Sequence, residues 1–370
     1  MLLIGIVLLQ FSSNFAQGPL QALMPDIVPD DQRGRSSGVK TVLGVIPAIL
    51  IIFIGPLVNA GRIGLTVAII GGALLITMLI TVRFVHEEAL RERPQDDIKP
   101  RLLRLVALTT IFVLVTQTAV WMVRAGSEFL SAQDTSVFTQ VSIVGFLGLI
   151  GMAGSIFLGV YFGAWVGIGE EASGQRPFIW WVINRLLFLA AVGSIQGFAQ
   201  FYMTDVLKVD NPATMTTVLM AVVALFLMTS ALAGGYLADR FGRRRLVAFG
   251  SIVAALGTLV LILSTGVTMA IVSGCIIGIG AGTFMATNWA LGTDLAPAKE
   301  AGRYLGISNL AGAGAGIVGA GIGGPMADFF NQLKPGLGYL VIFGIYGMLF
   351  LLSAATLSRV PENHESGTAA

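Results

Sequence analysis

Charge is scarce in this chain. Only 11% of its 370 residues are Asp, Glu, Lys or Arg, while 55% are hydrophobic and the mean hydropathy is +0.84. A soluble globular protein carries about 25% charged residues, so a single water-solvated domain is excluded. Cysteine is almost missing. Cys275 stands alone, which rules out a disulfide framework and a thiolate metal cluster. The two histidines, His86 and His364, lie in polar segments far from any Cys/His pattern, so no metal is expected and no cofactor. Basic and acidic residues nearly cancel, 22 against 20, and nothing favours nucleic acid. Glycine, by contrast, is abundant at 47 residues, which suits helices that approach closely in lipid.

What remains is apolar runs. A helix needs about 20 apolar residues to cross the hydrocarbon, and eleven such stretches can be read: roughly 2–25, 41–60, 64–82, 105–123, 141–167, 178–203, 214–237, 246–264, 268–292, 304–327 and 337–357. The expected fold is an all-α polytopic membrane protein of about 11 transmembrane helices. Lys and Arg concentrate in cytoplasmic loops. With the amino terminus outside, 17 of them, including Arg33, Arg35, Lys40, Arg240, Arg243, Arg244, Arg245 and Arg303, fall on one side and four on the other. Arg185 alone lies within a span. The carboxyl terminus is therefore expected in the cytoplasm of a multi-pass cell-membrane protein. Met1 is followed directly by Leu2 and Leu3 with no basic flank, and the expectation drawn from this is that the chain starts inside a larger protein.

Two segments repeat. Residues 22–38 lie ungapped against 290–306 with seven of 17 positions identical: Ala22/Ala290, Leu23/Leu291, Asp26/Asp294, Pro29/Pro297, Gly34/Gly302, Arg35/Arg303 and Gly38/Gly306. Chance at ordinary frequencies gives roughly one or two. Each copy sets an acid at a helix exit, then a proline-bearing loop, then Gly-Arg at a helix start. Two like-oriented halves produce such a pattern.

A further motif is carried by Gly235, Asp239, Arg240, Gly242, Arg243, Arg244 and Arg245, which read G-x-x-x-D-R-x-G-R-R-R. Gly235 permits close helix crossing. Asp239, at a helix exit, can accept from Arg243 and face the positive amino end of a neighbouring helix. This loop resembles the signature loop of the major facilitator superfamily, between the second and third spans of each six-span half. The resemblance implies a two-bundle helical fold and a transporter rather than an enzyme. Asn14, Gln17, Gln21 and Asp26 sit in a segment that also resembles the fourth span of sucrose–proton and glycoside–pentoside–hexuronide symporters. In that frame, residues 1–83 would be a partial amino-terminal bundle (equivalents of spans four to six), lacking three spans, and 84–104 a cytoplasmic linker. Residues 105–177 would be two additional central spans, as in fourteen-span members. Residues 178–358 would be a complete six-helix bundle and 359–370 a tail.

Candidate site residues follow from polarity inside the spans. An intramembrane ionisable group is a functional-site hypothesis by default, which singles out Arg185, although its guanidinium could instead snorkel to the interface. Gln196 and Gln200 stand four apart on one face. Gln17 and Gln21 share a stripe on the first span, and Asn288 and Trp289 occupy the matching stretch of the other half, with Asn309 on the next helix. Amides in lipid must find partners, either a cavity or another helix. Amides beside aromatic faces suit neutral hydroxylated ligands, sugars above all. The cytoplasmic gate is expected from Gly235, Asp239, Arg240, Gly242, Arg243 and Arg244, with ion pairs Asp26–Arg35 and Asp294–Arg303. Three small-residue series, Gly274/Gly278/Gly282, Gly312/Gly316/Ala320/Gly324 and Ser155/Gly159/Gly163/Gly167, are expected as packing seams.

The expected function is secondary active transport of a small solute, a sugar or glycoside, by alternating access. The expected partners are that solute, the bilayer and a coupling proton or sodium ion, with the protein a monomer. Efflux of drugs or metabolites is the alternative, followed by a non-transporting fragment or sensor. A lipid-modifying enzyme would need a nucleophile–base constellation that is not visible.

Overall fold

The computed structural model describes residues 27–85, 98–133, 135–169, 174–296 and 301–361, together with residues 5, 12, 13 and 16. Most of the first expected span therefore lies outside the described residues. Among them run α1 (Arg33–Asn59), α2 (Ile63–Phe84), α3 (Ile98–Ser131), α4 (Val137–Ile168), α5 (Arg176–Asp205), α6 (Pro212–Phe241), α7 (Arg243–Ile262), α8 (Val267–Leu295), α9 (Ala301–Leu333) and α10 (Leu337–Thr356). The ten correspond one for one with the ten remaining expected spans. Eight of them are long and apolar enough to cross a membrane. The chain is an all-α polytopic membrane protein.

The helix ends overrun the apolar stretches for a physical reason. Hydropathy marks where hydrocarbon stops, whereas a helix goes on until its backbone is capped. So α1 starts at Arg33 rather than near residue 41, and α3 at Ile98. Pro177 and Pro212 lie in the first turns of α5 and α6, where a missing N–H costs nothing. Ser136 caps α4 by accepting from the Thr139 amide at 3.2 Å. Gly242, at φ +92°, ends α6 and starts α7 in a conformation that a side chain resists.

The six helices α5–α10 pack as one body, with α8 at its most enclosed position between α6 and α7. Small residues set these spacings. Gly274, Gly278 and Gly282 press α8 on α6; a Cβ at Gly278 would stand 2.8 Å from the Val223 carbonyl oxygen. On the opposite face Gly280 meets Gly250 and Ala254 of α7. The series 274/278/282 is thus a seam. So is the α4 series, where Ser155 donates to Val115 of α3 at 3.5 Å and Gly159 accepts the Phe112 ring.

The α9 series is a correction. Gly316 and Gly324 face open space, and it is Gly319 and Gly323 that receive Ala190, Phe198 and Tyr346. Glycines occupy more than one face of α9, and only the neighbours decide which face is the seam.

The hairpin α3–α4 packs mainly on α9, while α1 lies on the far side against α6 and α8. Among the described residues helix α2 packs appreciably only on α1; it is apolar all round, and Thr66 alone is buried. Such a surface is stable only in a non-aqueous setting.

Candidate transport cavity

A cavity of about 1050 Å³ opens between α1 on one side and α5, α6 and α8 on the other. The hairpin α3–α4 contributes no residue to it. Its wall on α1 is Ser37, Lys40, Thr41 and Gly44, an i, i+3, i+4, i+7 stripe that faces one direction on a helix. On α5 it is Arg185, Leu189, Val192, Gln196 and Gln200, and on α8 Gly274, Ile277, Phe284 and Trp289.

Of the expected binding residues, the structure brings four to this space or its edge. Gln196 and Gln200 line it with exposed side chains. Arg185 and Trp289 meet there, with the Arg185 guanidinium carbon 4.8 Å from the Trp289 ring centroid and 5.8 Å from that of Trp181. Asn288 turns away from the cavity and is fully buried. Its Oδ1 accepts from Arg185 at 3.4 Å and its Nδ2 donates to Asn184 Oδ1 at 2.7 Å. Asn184 Nδ2 in turn donates to the Ser353 carbonyl at 2.7 Å and hydroxyl at 2.8 Å, and Ser353 lies 3.4 Å from the Ser251 hydroxyl. This chain of hydrogen bonds ties α5, α7, α8 and α10 together and orients Arg185 from behind. Gln17 and Gln21 lie outside the described residues, as does the side chain of Asn309.

Lys40 is the residue that sequence reasoning missed. Counted as a loop charge, it stands two turns inside α1, lines the cavity, and carries its Nζ 3.7 Å from the Trp289 centroid. The polar stripe 37/40/41/44 was the available signal.

A cluster of charges lies just beyond Ser37 of α1 and Trp289 of α8. Asp239, at the end of α6, accepts from the backbone amides of Gly34 at 3.0 Å and Arg35 at 3.1 Å. It thereby caps α1, where an anion meets the positive end of the helix dipole. Arg243 pairs with Asp239 at 3.5 Å and also with Asp294. Asp294 takes Arg33 as well, at 3.2 Å, so the second repeat copy supplies the acid and the first copy supplies the base. Arg33 had no assigned role in the sequence reading. Gly235 lets α1 come close: a Cβ there would reach the Gly34 carbonyl oxygen at 2.5 Å. Arg35 and Arg240 both stack over Tyr236, at 5.1 and 4.6 Å. Gly242 forms the turn, and Arg244 makes no ion pair with a described residue. Asp26 and the Arg303 side chain lie outside the described residues. At the opposite end Tyr339 donates to Asp205, and the Tyr202 hydroxyl lies 2.7 Å from that of Ser264.

Residues 164–320 match the family model described as Major Facilitator Superfamily. The chain is 29% identical over 133 residues to the vacuolar membrane amino acid uptake transporter fnx2 of Schizosaccharomyces pombe, covering 36% of this chain and 22% of that protein. It is 30% identical over 143 residues to the minor myo-inositol transporter IolF of Bacillus subtilis, covering 38% and 31%. It is also 30% identical over 97 residues to an uncharacterized MFS-type transporter of Mycobacterium tuberculosis, covering 26% and 14%. The chain thus spans well under half the length of each curated relative that it matches. All three are named as transporters, and the family is one of transporters rather than enzymes. Residues 164–320 of this polytopic membrane protein, which include the cavity-lining helices α5, α6 and α8, are therefore similar to the Major Facilitator Superfamily.

Proposed function

We propose that the chain forms part of a secondary transporter that moves a small hydroxylated solute across the cell membrane by alternating access. The observation that carries this reading is the cavity itself. It lies at a junction between α1 and the α5–α10 body, and that junction is held at one end by Asp239, Asp294, Arg33 and Arg243. Rocking α1 against α6 would break those contacts and open that end. The arginine-rich end would face the cytoplasm, following the bias of Lys and Arg. The pattern of two halves enclosing a midplane site is one in which such rocking moves solute.

Gln196 and Gln200 offer donors and acceptors to hydroxyl groups, and the Trp289 face suits a sugar or polyol ring. The inositol relative supports the same solute class. The coupling ion would be a proton or sodium.

The test is reconstitution of the full chain into liposomes and uptake of labelled sugars, polyols and amino acids, with and without imposed pH and sodium gradients. Saturable, gradient-stimulated uptake of a polyol or sugar is the expected result. Uptake no faster than into empty liposomes under every gradient would overturn it, and selective extrusion of hydrophobic drugs would favour efflux instead.

A further inference from the structure

We propose that the solute bound in this cavity is an anion, held by its carboxylate or phosphate between Lys40 and Arg185. The proposal rests on the transport reading for its cavity, but not for its charge. Lys40 from α1 and Arg185 from α5 converge on one indole ring, Trp289 of α8. Three separate helices thus deliver two like charges to one point. Like charges so placed repel, and each disfavours the charged form of the other unless a counter-charge stands beside them.

Among the described residues no Asp or Glu lines the cavity. The π face of Trp289 offsets part of the charge, but an aromatic face cannot accept the hydrogen bonds that an ammonium and a guanidinium offer.

The unsatisfied donors point the same way. Arg185 Nε and Trp289 Nε1 are buried without a hydrogen-bond partner, and Trp289 is only 4% exposed. Buried donors are nearly always satisfied. Arg185 is already turned and held by Asn288 on the side away from the cavity, which leaves its remaining edge for a ligand. An ammonium, a guanidinium and an indole N–H form an all-donor set. The complement of an all-donor, basic site is an acceptor-rich oxyanion. Gln196 and Gln200, further along α5, would then read the hydroxyl groups of the same solute.

The test is equilibrium binding to the full chain in phosphatidylcholine nanodiscs, using three probes on one carbon skeleton: glucose, gluconate and glucose 6-phosphate. A wider set of small carboxylates and phosphates follows. The expected result is binding of an anionic probe at least about tenfold tighter than glucose, the effect of one charge-assisted contact. Lys40→Gln should weaken that binding by about tenfold or more, and Lys40→Arg should largely restore it. Because Lys40 faces open space, Lys40→Gln is the variant least prone to misfolding, and its unliganded melting curve serves as the control. Arg185→Gln gives the second arm.

The proposal fails if glucose binds as tightly as the anions, if Lys40→Gln leaves anion affinity unchanged, or if no carboxylate or phosphate binds. It also fails if protection appears only when phosphatidylglycerol is added to the discs, which would identify a lipid headgroup. Neutral-solute uptake without anion binding would leave the transport reading intact and remove the charge inference. Anion binding without uptake in liposomes would do the reverse.

Discussion

Gly34 and Asp239 lie 205 residues apart, yet the Gly34 amide donates to the Asp239 carboxylate at 3.0 Å. Both halves of this contact are needed. The carboxylate ends α6 where α1 begins, and glycine leaves room for it, since a Cβ at Gly34 would also stand 2.6 Å from the Gly235 carbonyl oxygen. Whatever separates α1 from α6 must first break this cap.

Asp239→Asn removes the charge that faces the helix end and weakens the tie to Arg243. The expected outcome is a shift of roughly tenfold toward the state open at the arginine-rich end, the size of one charged cap. Accessibility of a cysteine introduced at Thr41 to a charged thiol reagent would report it, together with slower uptake. Unchanged accessibility and uptake at equal expression would remove Asp239 from the gate.

Gly34→Ala forces a methyl group into the α1–α6 crossing. A loss of about 1–3 kcal/mol is expected, in the range of overpacked sites, seen as a lower melting temperature in detergent. Gly72→Ala on α2, where nothing lies within 4 Å, should leave the melting temperature unchanged or raise it slightly.

On α9 the two faces can be told apart. Gly319→Ala would crowd the Ala190 carbonyl oxygen at 2.6 Å, while Gly316→Ala meets nothing within 4 Å. The first variant should destabilise by about 1–3 kcal/mol, and the second should be neutral. Equal melting temperatures would contradict the register of α9 against α5.

Asn184→Leu strips the partner from Asn288 and from Ser353, both fully buried. Orphaned buried groups cost about 1–3 kcal/mol each, so a large loss of stability is expected. A double-mutant cycle with Ser353→Ala should show coupling, because the two residues share three hydrogen bonds. Additive effects would mean that the network does not act as a unit. Ligand affinity should fall as well, through the freed Arg185.

Ten of the eleven expected helices could be read because burial in hydrocarbon demands an uninterrupted apolar run with its backbone bonds made internally. The signature loop was legible for a related reason. A turn, a cap and a close crossing each require a particular residue type at a set offset, and Gly235, Asp239 and Gly242 meet those requirements locally.

The cavity-lining residues were legible only in part. Gln196, Gln200, Arg185 and Trp289 are polar or aromatic within apolar runs and so drew notice. Asn288 did too, but which way an amide on a helix faces is decided by a neighbour, and its neighbour proved to be Asn184.

The sequence by itself determined the ten described helices and the chemistry of the loop that joins α6 to α7, because each depends on residues close together in the chain. Only the tertiary structure decided that Arg33 pairs with Asp294, that Gly319 rather than Gly316 is the contact face, and that Lys40 belongs to the cavity. These depend on how helices rotate and how far they run past the hydrocarbon. Hydropathy is blind to both, because a lysine just inside a helix start has the same local sequence whether it meets water or a shared indole ring.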